Sequence, residues 1–322
     1  MLLAGDVGGT KTLLGLFERA AGRPRDVTIR AYPTNDFPSF TAILDAFSRD
    51  VAQPFTVEAA AVGVAGPVIG DRAALTNIDW DISCAEITAR FTTRRVALLN
   101  DLAAMATSVP VLDGAEVLVL QPGIVDPNGN AAVIAAGTGL GAGYLHRVNG
   151  RLHPAATETG HADFAARSLV SSAISSSVRA EFGRVEVEDV LSGPGIYNLY
   201  RFTHGGEPCD STRGLPTPEI AAAVTGAALE GTCPRCGKAL DMFVRAYGAE
   251  AGNVALRGVT TTGLFVGGGI APKILPALQD GRFIEAFRAK GLMTELMTRM
   301  PVKVILNAEA GLLGAAVAAQ NL

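Results

Sequence analysis

The chain has 322 residues, with 27 Lys and Arg against 31 Asp and Glu for a formal net charge of −4, and it is 48% hydrophobic and 18% charged. That length exceeds one ordinary core and suits two domains or two halves closing around a site, and the composition excludes a disordered chain. With no long basic run, no apolar run near the roughly 20 residues of a membrane helix and no basic leader before Asp6, nucleic acid, membrane and export are set aside and the cytoplasm is expected. Cys84, Cys209, Cys233 and Cys236 are too few to frame such a chain with disulfides and are expected to be reduced.

In chain order, short apolar runs predict strands at 2–7, 13–17, 59–64, 96–99, 117–120, 131–136, 264–266 and 302–306. Helical patterning predicts helices at 39–51, 82–91, 166–182, 219–230, 238–256 and 311–319, and the alternation makes an α/β protein. Segments 121–130 and 203–218, rich in Gly, Pro and Asn or Ser, read as loops. The strand, glycine turn, strand plan of residues 2–16 recurs at 132–145, so two similar halves are expected.

Glycine turns let backbone N–H groups approach an anion, which makes phosphate the natural ligand of Gly8-Gly9-Thr10 and of Gly137-Thr138-Gly139-Leu140-Gly141. Asp6 beside such phosphates makes sense only with a hydrated Mg²⁺ between the like charges, with Thr10 and Lys11 donating to phosphoryl oxygens. A tight hairpin with an acidic tip explains the first turn alone equally well. It is no P-loop, because Thr10 stands where a glycine must precede the Lys-Ser/Thr pair and a strand pattern follows. Residues 137–142 satisfy G-x-G-x-x-G/A, yet 143–148 has strand character where a dinucleotide site needs a helix. Gly267-Gly268-Gly269 ends a strand and suits close approach of a base or ribose, or else a plain strand-to-helix connection.

Asp101 follows the strand at 96–99 and precedes the helix-like 102–106, where it is placed either to take a proton from a hydroxyl or to cap the helix. Asn100 would orient a neighbouring hydroxyl. Glu158 and His161, three apart, share a face of one helical turn and pair an acceptor with a donor, as sugar recognition requires. His161 with Asp163 is too little for a metal site. Cys233-Pro234-Arg235-Cys236 is a lone C-x-x-C whose only nearby further ligands are Cys209 and His204, so it reads as two small residues opening a packed helix.

The order of these motifs, Gly5-Asp6-Val7-Gly8-Gly9-Thr10, Leu99-Asn100-Asp101, Gly137-Thr138-Gly139-Leu140-Gly141, Glu158-Thr159-Gly160-His161 and Val266-Gly267-Gly268-Gly269, resembles the bacterial glucokinase family of the actin-like, ribonuclease-H-like ATPase superfamily. Leu75-Thr76-Asn77, Val190–Gly195 and 307–314 fit as well, so the likeness runs from residue 2 to about 318. Nothing like the Cys-rich zinc loop of related sugar kinases and repressors follows His161, which places the chain with the zinc-free branch. The resemblance implies a two-domain actin-like α/β fold with an interdomain cleft: a small domain of residues 1–110 plus 301–322 and a large one of 111–300. It also implies a homodimer that phosphorylates glucose from ATP with Mg²⁺. Asp101 would be the base, and Asn77, Asn100, Asp101, Glu158, His161 and Glu188 would hold the sugar. Gly8–Lys11, Gly137–Gly141 and Gly267–Gly269 would hold the nucleotide, and Asp6 would hold Mg²⁺ through water. Another hexose, such as fructose, mannose or an amino sugar, is the first alternative acceptor. A non-catalytic sugar sensor is disfavoured because the chain opens at the phosphate turn, with no room upstream for a helix-turn-helix.

Overall fold

A computed structural model describes residues 1–51, 53–75 and 78–322, with side chains at all of them except 169 and 170. The elements begin with β1 (Leu2–Val7), β2 (Lys11–Glu18), β3 (Arg25–Pro33), α1 (Phe40–Asp50), β4 (Ala59–Val64), β5 (Val68–Ile69), β6 (Arg72–Ala74) and β7 (Asp81–Ser83). There follow α2 (Cys84–Phe91), β8 (Val96–Asn100), α3 (Asp101–Ser108), β9 (Val117–Gln121), β10 (Ala131–Ala136), β11 (Leu140–Val148) and β12 (Arg151–Thr157). The remainder comprises α4 (Leu169–Phe182), α5 (Gly193–His204), α6 (Thr217–Leu229), α7 (Pro234–Gly258), β13 (Gly263–Gly267), α8 (Leu275–Gln279), α9 (Arg282–Arg288), α10 (Thr294–Arg299), β14 (Val302–Ile305) and α11 (Ala310–Asn321).

Packing divides the chain into one unit of 1–114, 143–156 and 307–322 and a second of 115–142 and 157–306. The sequence reading gave 143–156 to the larger domain. The structure groups it with the first unit, where the backbone of Gly143 backs onto Leu102 and Ala106 of α3. β14 belongs to the second unit, so the C-terminal segment of the first begins at 307 and not at 301.

In the first unit the sheet order is β3-β2-β1-β4-β8, with β1 antiparallel to β2 and parallel to β4. β4 reads Ala-Ala-Ala-Val-Gly-Val and is buried at every position, the mark of a parallel strand covered on both faces. Alternation along β1 sends Leu2 and Ala4 toward Leu312, Ala315 and Ala319 of α11, and Leu3 and Val7 toward Ile43, Leu44 and Phe47 of α1. Ser39 caps α1 by accepting from Ala42 N, and the buried Phe40, Ile43, Leu44 and Phe47 follow the helical repeat of a one-sided face. Each fully buried Leu, Ile or Phe here stabilises by about 1.5–3 kcal/mol.

The second unit holds the strands β10, β13, β14 and β9, neighbours in that order, with β10, β13 and β14 parallel and β9 antiparallel. Behind them the 25-residue α7 is buried along much of its length. Its Tyr247, fully buried, accepts from Ala136 N at 3.2 Å and donates to Ile134 O at 3.3 Å, fixing the end of β10 from below. Among the described residues no helix is long and apolar enough to cross a membrane.

Candidate active site

Asp6 lies near the C-terminal end of β1, in the strand that delivers the chain into the turn at 8–10. Its carboxylate rests against the bare backbone of Gly311, where a Cβ would stand 2.6 Å from Oδ2. Burial above all, and then the negative charge of Asp101, push its pKa up to about 6, while Lys11 pulls the other way. An acid whose ionisation is opposed by burial and by a neighbouring carboxylate, at the end of a strand that enters a glycine turn, fits a hydrated divalent cation, which would favour its charged form. The turn closes through Gly8 N to Lys11 O at 3.1 Å, and β2 begins at Lys11, as the absence of a P-loop requires.

A residue that sequence reasoning passed over braces this turn. Thr34 is fully buried, donates its hydroxyl to Gly8 O at 2.8 Å and gives its N–H to Thr10 O at 3.0 Å. Because its single hydroxyl proton goes to Gly8, the 3.0 Å contact with Thr12 Oγ1 has Thr12 as donor. The Pro33-Thr34-Asn35-Asp36 run carried a turn signal but nothing that connected it to the glycines twenty-odd residues earlier.

At the end of β8 the two explanations of Asn100-Asp101 separate. Asn100 is the N-cap of α3, its Oδ1 accepting from Leu102 N at 3.0 Å and Ala103 N at 3.3 Å, while Nδ2 donates to Gly66 O at 3.3 Å. Asp101 is the first helical residue, and its Oδ1 accepts from Leu102 N at 2.8 Å. The capping role therefore falls on Asn100 and leaves Asp101 at a strand's carboxyl end, where α/β proteins collect ligands. Asn77, the remaining expectation of this unit, lies outside the described residues.

In the second unit, residues 137–139 join β10 to β11, so a strand follows the glycines and the dinucleotide pattern is set aside. Gly137 donates to Gly139 O and its own carbonyl accepts from Gly193 N, both at 2.8 Å. Gly193 opens α5, whose N-cap Ser192 accepts from Gly195 N, so the positive end of a twelve-residue helix adjoins the turn. The helix start at Ser192-Gly193-Pro194 was not among the predicted elements, and neither was its position against Gly137. The turn at Gly267–Gly269 follows β13, which pairs with β10 through Ala135 and Gly267. Gly268 has φ +83°, and a Cβ there would overlap Ala136 O, so this position requires glycine.

Glu158 is exposed and starts a single helical turn in which His161 N donates to Glu158 O at 3.1 Å, which puts the two residues on one turn as their spacing implied. Glu188 Oε2 accepts from Leu140 N at 2.7 Å and its N–H donates to Gly160 O at 3.0 Å, so this acid ties the glycine turn at 137–139 to the Glu158–His161 segment. Gly139 packs so close to Glu188 Oε2 that any side chain would collide with it. His161 Nδ1 meets Glu186 Oε2 at 2.7 Å, and that hydrogen bond foremost raises the imidazole pKa, with Glu188 and Glu158 adding to it. Arg184 holds Glu186 and Asp163 and donates to His161 O, so Asp163 is a structural partner of Arg184. Glu186 and Arg184 escaped the sequence reading because a short run of charged residues before Asp189 looks like any solvated loop.

His204, Cys209, Cys233 and Cys236 present their donor atoms within 4.8 Å of one another. The C-x-x-C pair thus stands beside the two further residues that the sequence offered, His204 at the end of α5 and Cys209 in the loop after it.

The glucokinase family model matches residues 3–322. The glucokinase of a Synechocystis strain is 39% identical, over 98% of this chain and 97% of its own. Among solved structures, the glucokinase of an Antarctic psychrotroph superimposes with a TM-score of 0.85 at 30% identity, covering 100% of this chain and 99% of that one. A ROK-family glucokinase from Streptomyces griseus, solved with glucose and AMPPNP, shares the fold with a TM-score of 0.70 at 23% identity, over 100% and 99% of the two chains. The α/β architecture is that of the actin-like ATPases, and the chain is an enzyme of the glucokinase family.

Proposed function

We propose that the protein transfers the γ-phosphoryl of ATP to the carbon-six hydroxyl of glucose, with Asp101 as the base. The observation that carries this reading is the division of labour at the end of β8: Asn100 caps the helix and so leaves a carboxylate at the strand end that the helix does not need as its cap. Family membership over the full chain supplies the acceptor.

A sugar hydroxyl is a poor nucleophile until a carboxylate takes its proton as the phosphoryl group arrives. Asp101 accepts that proton. Gly8 and Gly137 close the two turns with their own N–H groups, and backbone N–H groups of Gly9, Thr10 and Lys11 and of Thr138, Gly139 and Gly141 donate to phosphoryl oxygens, with the Lys11 ammonium adding positive charge. Gly267, Gly268 and Gly269 face the adenosine side. Asp6 would hold a hydrated Mg²⁺, which would supply neutralisation of phosphate charge. Asn77, Asn100 through the second N–H of its amide, Glu158, protonated His161 and the second oxygen of Glu188 hold the sugar hydroxyls. The reading includes a cytoplasmic homodimer feeding glycolysis, and sedimentation of the purified chain tests its oligomeric part.

Asp101→Asn tests the assignment. It should lower kcat by about 10²–10⁴-fold, the worth of a positioned base, with glucose binding still measurable by calorimetry. Turnover close to the parent's overturns it.

A further inference from the structure

The first transferable fact is distance. His204 Nε2 lies 3.6 Å from Cys233 Sγ and 3.8 Å from Cys236 Sγ, and Cys209 Sγ lies 3.7 Å from Cys236 Sγ. Zinc bonds of about 2.3 Å to sulfur and about 2.0 Å to nitrogen put tetrahedral donors roughly 3.5–3.8 Å apart. Three of the donor separations already have those values. The widest is 4.8 Å, which closes with a movement of about 1 Å.

The surroundings are those of a metal centre. His204 is 2% exposed and Cys236 fully buried, while Cys209 and Cys233 are half-buried, so the donors meet at the edge of the core, where three free thiols offer little packing advantage over apolar side chains. His204 Nδ1 lies 3.0 Å from both Tyr200 O and Thr203 Oγ1, and since the Thr203 hydroxyl donates to Tyr200 O, a proton on Nδ1 suits both neighbours and leaves the Nε2 lone pair toward the sulfurs. The Tyr200 ring packs on the imidazole with 4.2 Å between centroids, and the Tyr200 hydroxyl meets Thr212 Oγ1 at 2.7 Å. Thr212 Oγ1 in turn lies 3.4 Å from Cys209 Sγ, within reach of a thiolate. Arg235 donates to His204 O at 3.3 Å and brings a positive charge toward a site that three thiolates and one divalent ion leave at −1.

We propose that His204, Cys209, Cys233 and Cys236 form a closed, structural Zn²⁺ site that staples the end of α5, the loop at 205–216 and the first turn of α7. Three sulfurs and one imidazole select Zn²⁺ over hard cations, and four protein ligands leave no open position for substrate. Binding releases the thiol protons to solvent and changes no oxidation state. The site is separate from the segment after His161, where related kinases carry their zinc loop, and it is independent of the proposed transfer chemistry.

The test uses the full chain, expressed with zinc in the medium and purified under reducing conditions without chelator. Mass spectrometry of the metal should give about one zinc per chain, released as a mercurial titrates three thiols. Replacing zinc by Co²⁺ should produce thiolate-to-metal charge transfer and intense tetrahedral d–d bands. Cys236→Ser and His204→Ala should each lose at least about nine-tenths of the metal at equal chelator, whereas Cys84→Ser keeps it. The metal count and cobalt spectrum of the parent chain decide the matter even if a variant fails to fold. The proposal is overturned if the reduced parent chain takes up neither metal, if both ligand variants retain it, or if Cys209 and Cys236 are found as a disulfide in that reduced preparation.

Discussion

At the scale of single residues, the informative contact is the one between His161 and Glu186. An ordinary imidazole loses its proton near neutrality, but a carboxylate at 2.7 Å favours the charged form, so His161 keeps its proton to higher pH. With Nδ1 turned to Glu186, Nε2 is left as a donor for a sugar hydroxyl. The sign follows: sugar affinity falls on the alkaline side as pH rises through the raised pKa, because the neutral ring, with its one proton held on Nδ1, loses the Nε2 donor. Glu186→Gln removes the largest cause, so the His161 pKa measured by proton NMR should drop toward about 6.5, and the alkaline fall in affinity should move to lower pH with it. An unchanged titration in the variant would remove Glu186 from the account. Glu186 acts through His161 and is a positioning residue, so at pH values well below both pKa values the variant should bind glucose nearly as the parent does.

At the scale of elements, the turn at 8–10 is held from outside its own hairpin. Thr34→Val keeps the volume and the backbone bond from residue 34 to Thr10 O, but it removes the donor to Gly8 O and the acceptor of the Thr12 hydroxyl. Leaving those buried groups unpaired costs about 1–3 kcal/mol, readable as a lower urea midpoint with an unchanged slope. KM for ATP should rise more than KM for glucose, because the loosened turn is the one assigned to phosphate. Equal changes in the two constants would disconnect Thr34 from the nucleotide. What was legible in the sequence also divides by element. The buried strands β1, β4 and β10 were visible because covering both faces of a sheet leaves uninterrupted apolar runs. β3, Arg-Asp-Val-Thr-Ile-Arg-Ala-Tyr-Pro, was missed: it is an edge strand paired with β2 alone and mostly exposed, so its strand-forming Val27, Thr28, Ile29 and Tyr32 are flanked by charged residues and a proline and make no apolar run. α5 was missed because its Gly-Pro-Gly opening reads as a turn, although the buried Ile196, Leu199 and Tyr200 follow the helical repeat. The β11–β12 hairpin was only half seen, yet its Asn149-Gly150 turn, with φ of 49° and 77°, is the strongest short signal a hairpin can carry. The four residues His204, Cys209, Cys233 and Cys236 were named together from the sequence, but spacing could not show that they converge, since His204 and Cys233 meet only after α6 has folded back between them.

At the scale of the whole molecule, the segments assigned to the reaction are scattered at 6–11, 100–101, 137–141, 158–161, 188 and 267–269, and no one of them performs chemistry alone. Local motifs accordingly carried little, and their order along the chain carried the assignment. The same dispersion bears on selectivity. Water is small, abundant and chemically close to a sugar hydroxyl, so an arrangement already competent for transfer without acceptor would hydrolyse ATP. A kinase avoids this by spending the binding energy of the correct acceptor on assembling the reactive geometry, a device that yields discrimination on the order of 10⁴. In a coupled assay, ADP release from Mg-ATP should therefore rise by about 10⁴-fold when glucose is added, and Asp101→Asn should cut the glucose-dependent rate by about 10²–10⁴-fold. Across glucose, mannose, fructose and glucosamine, kcat/KM should be highest for glucose, because Glu158, His161 and Glu188 are assigned to its hydroxyl pattern. A missing hydroxyl partner leaves buried polar groups unpaired, and this penalises a wrong epimer more than a merely smaller sugar. ADP release at the same rate with and without sugar would sink the kinase reading, whereas a strong preference for another hexose would keep the mechanism and reassign the acceptor.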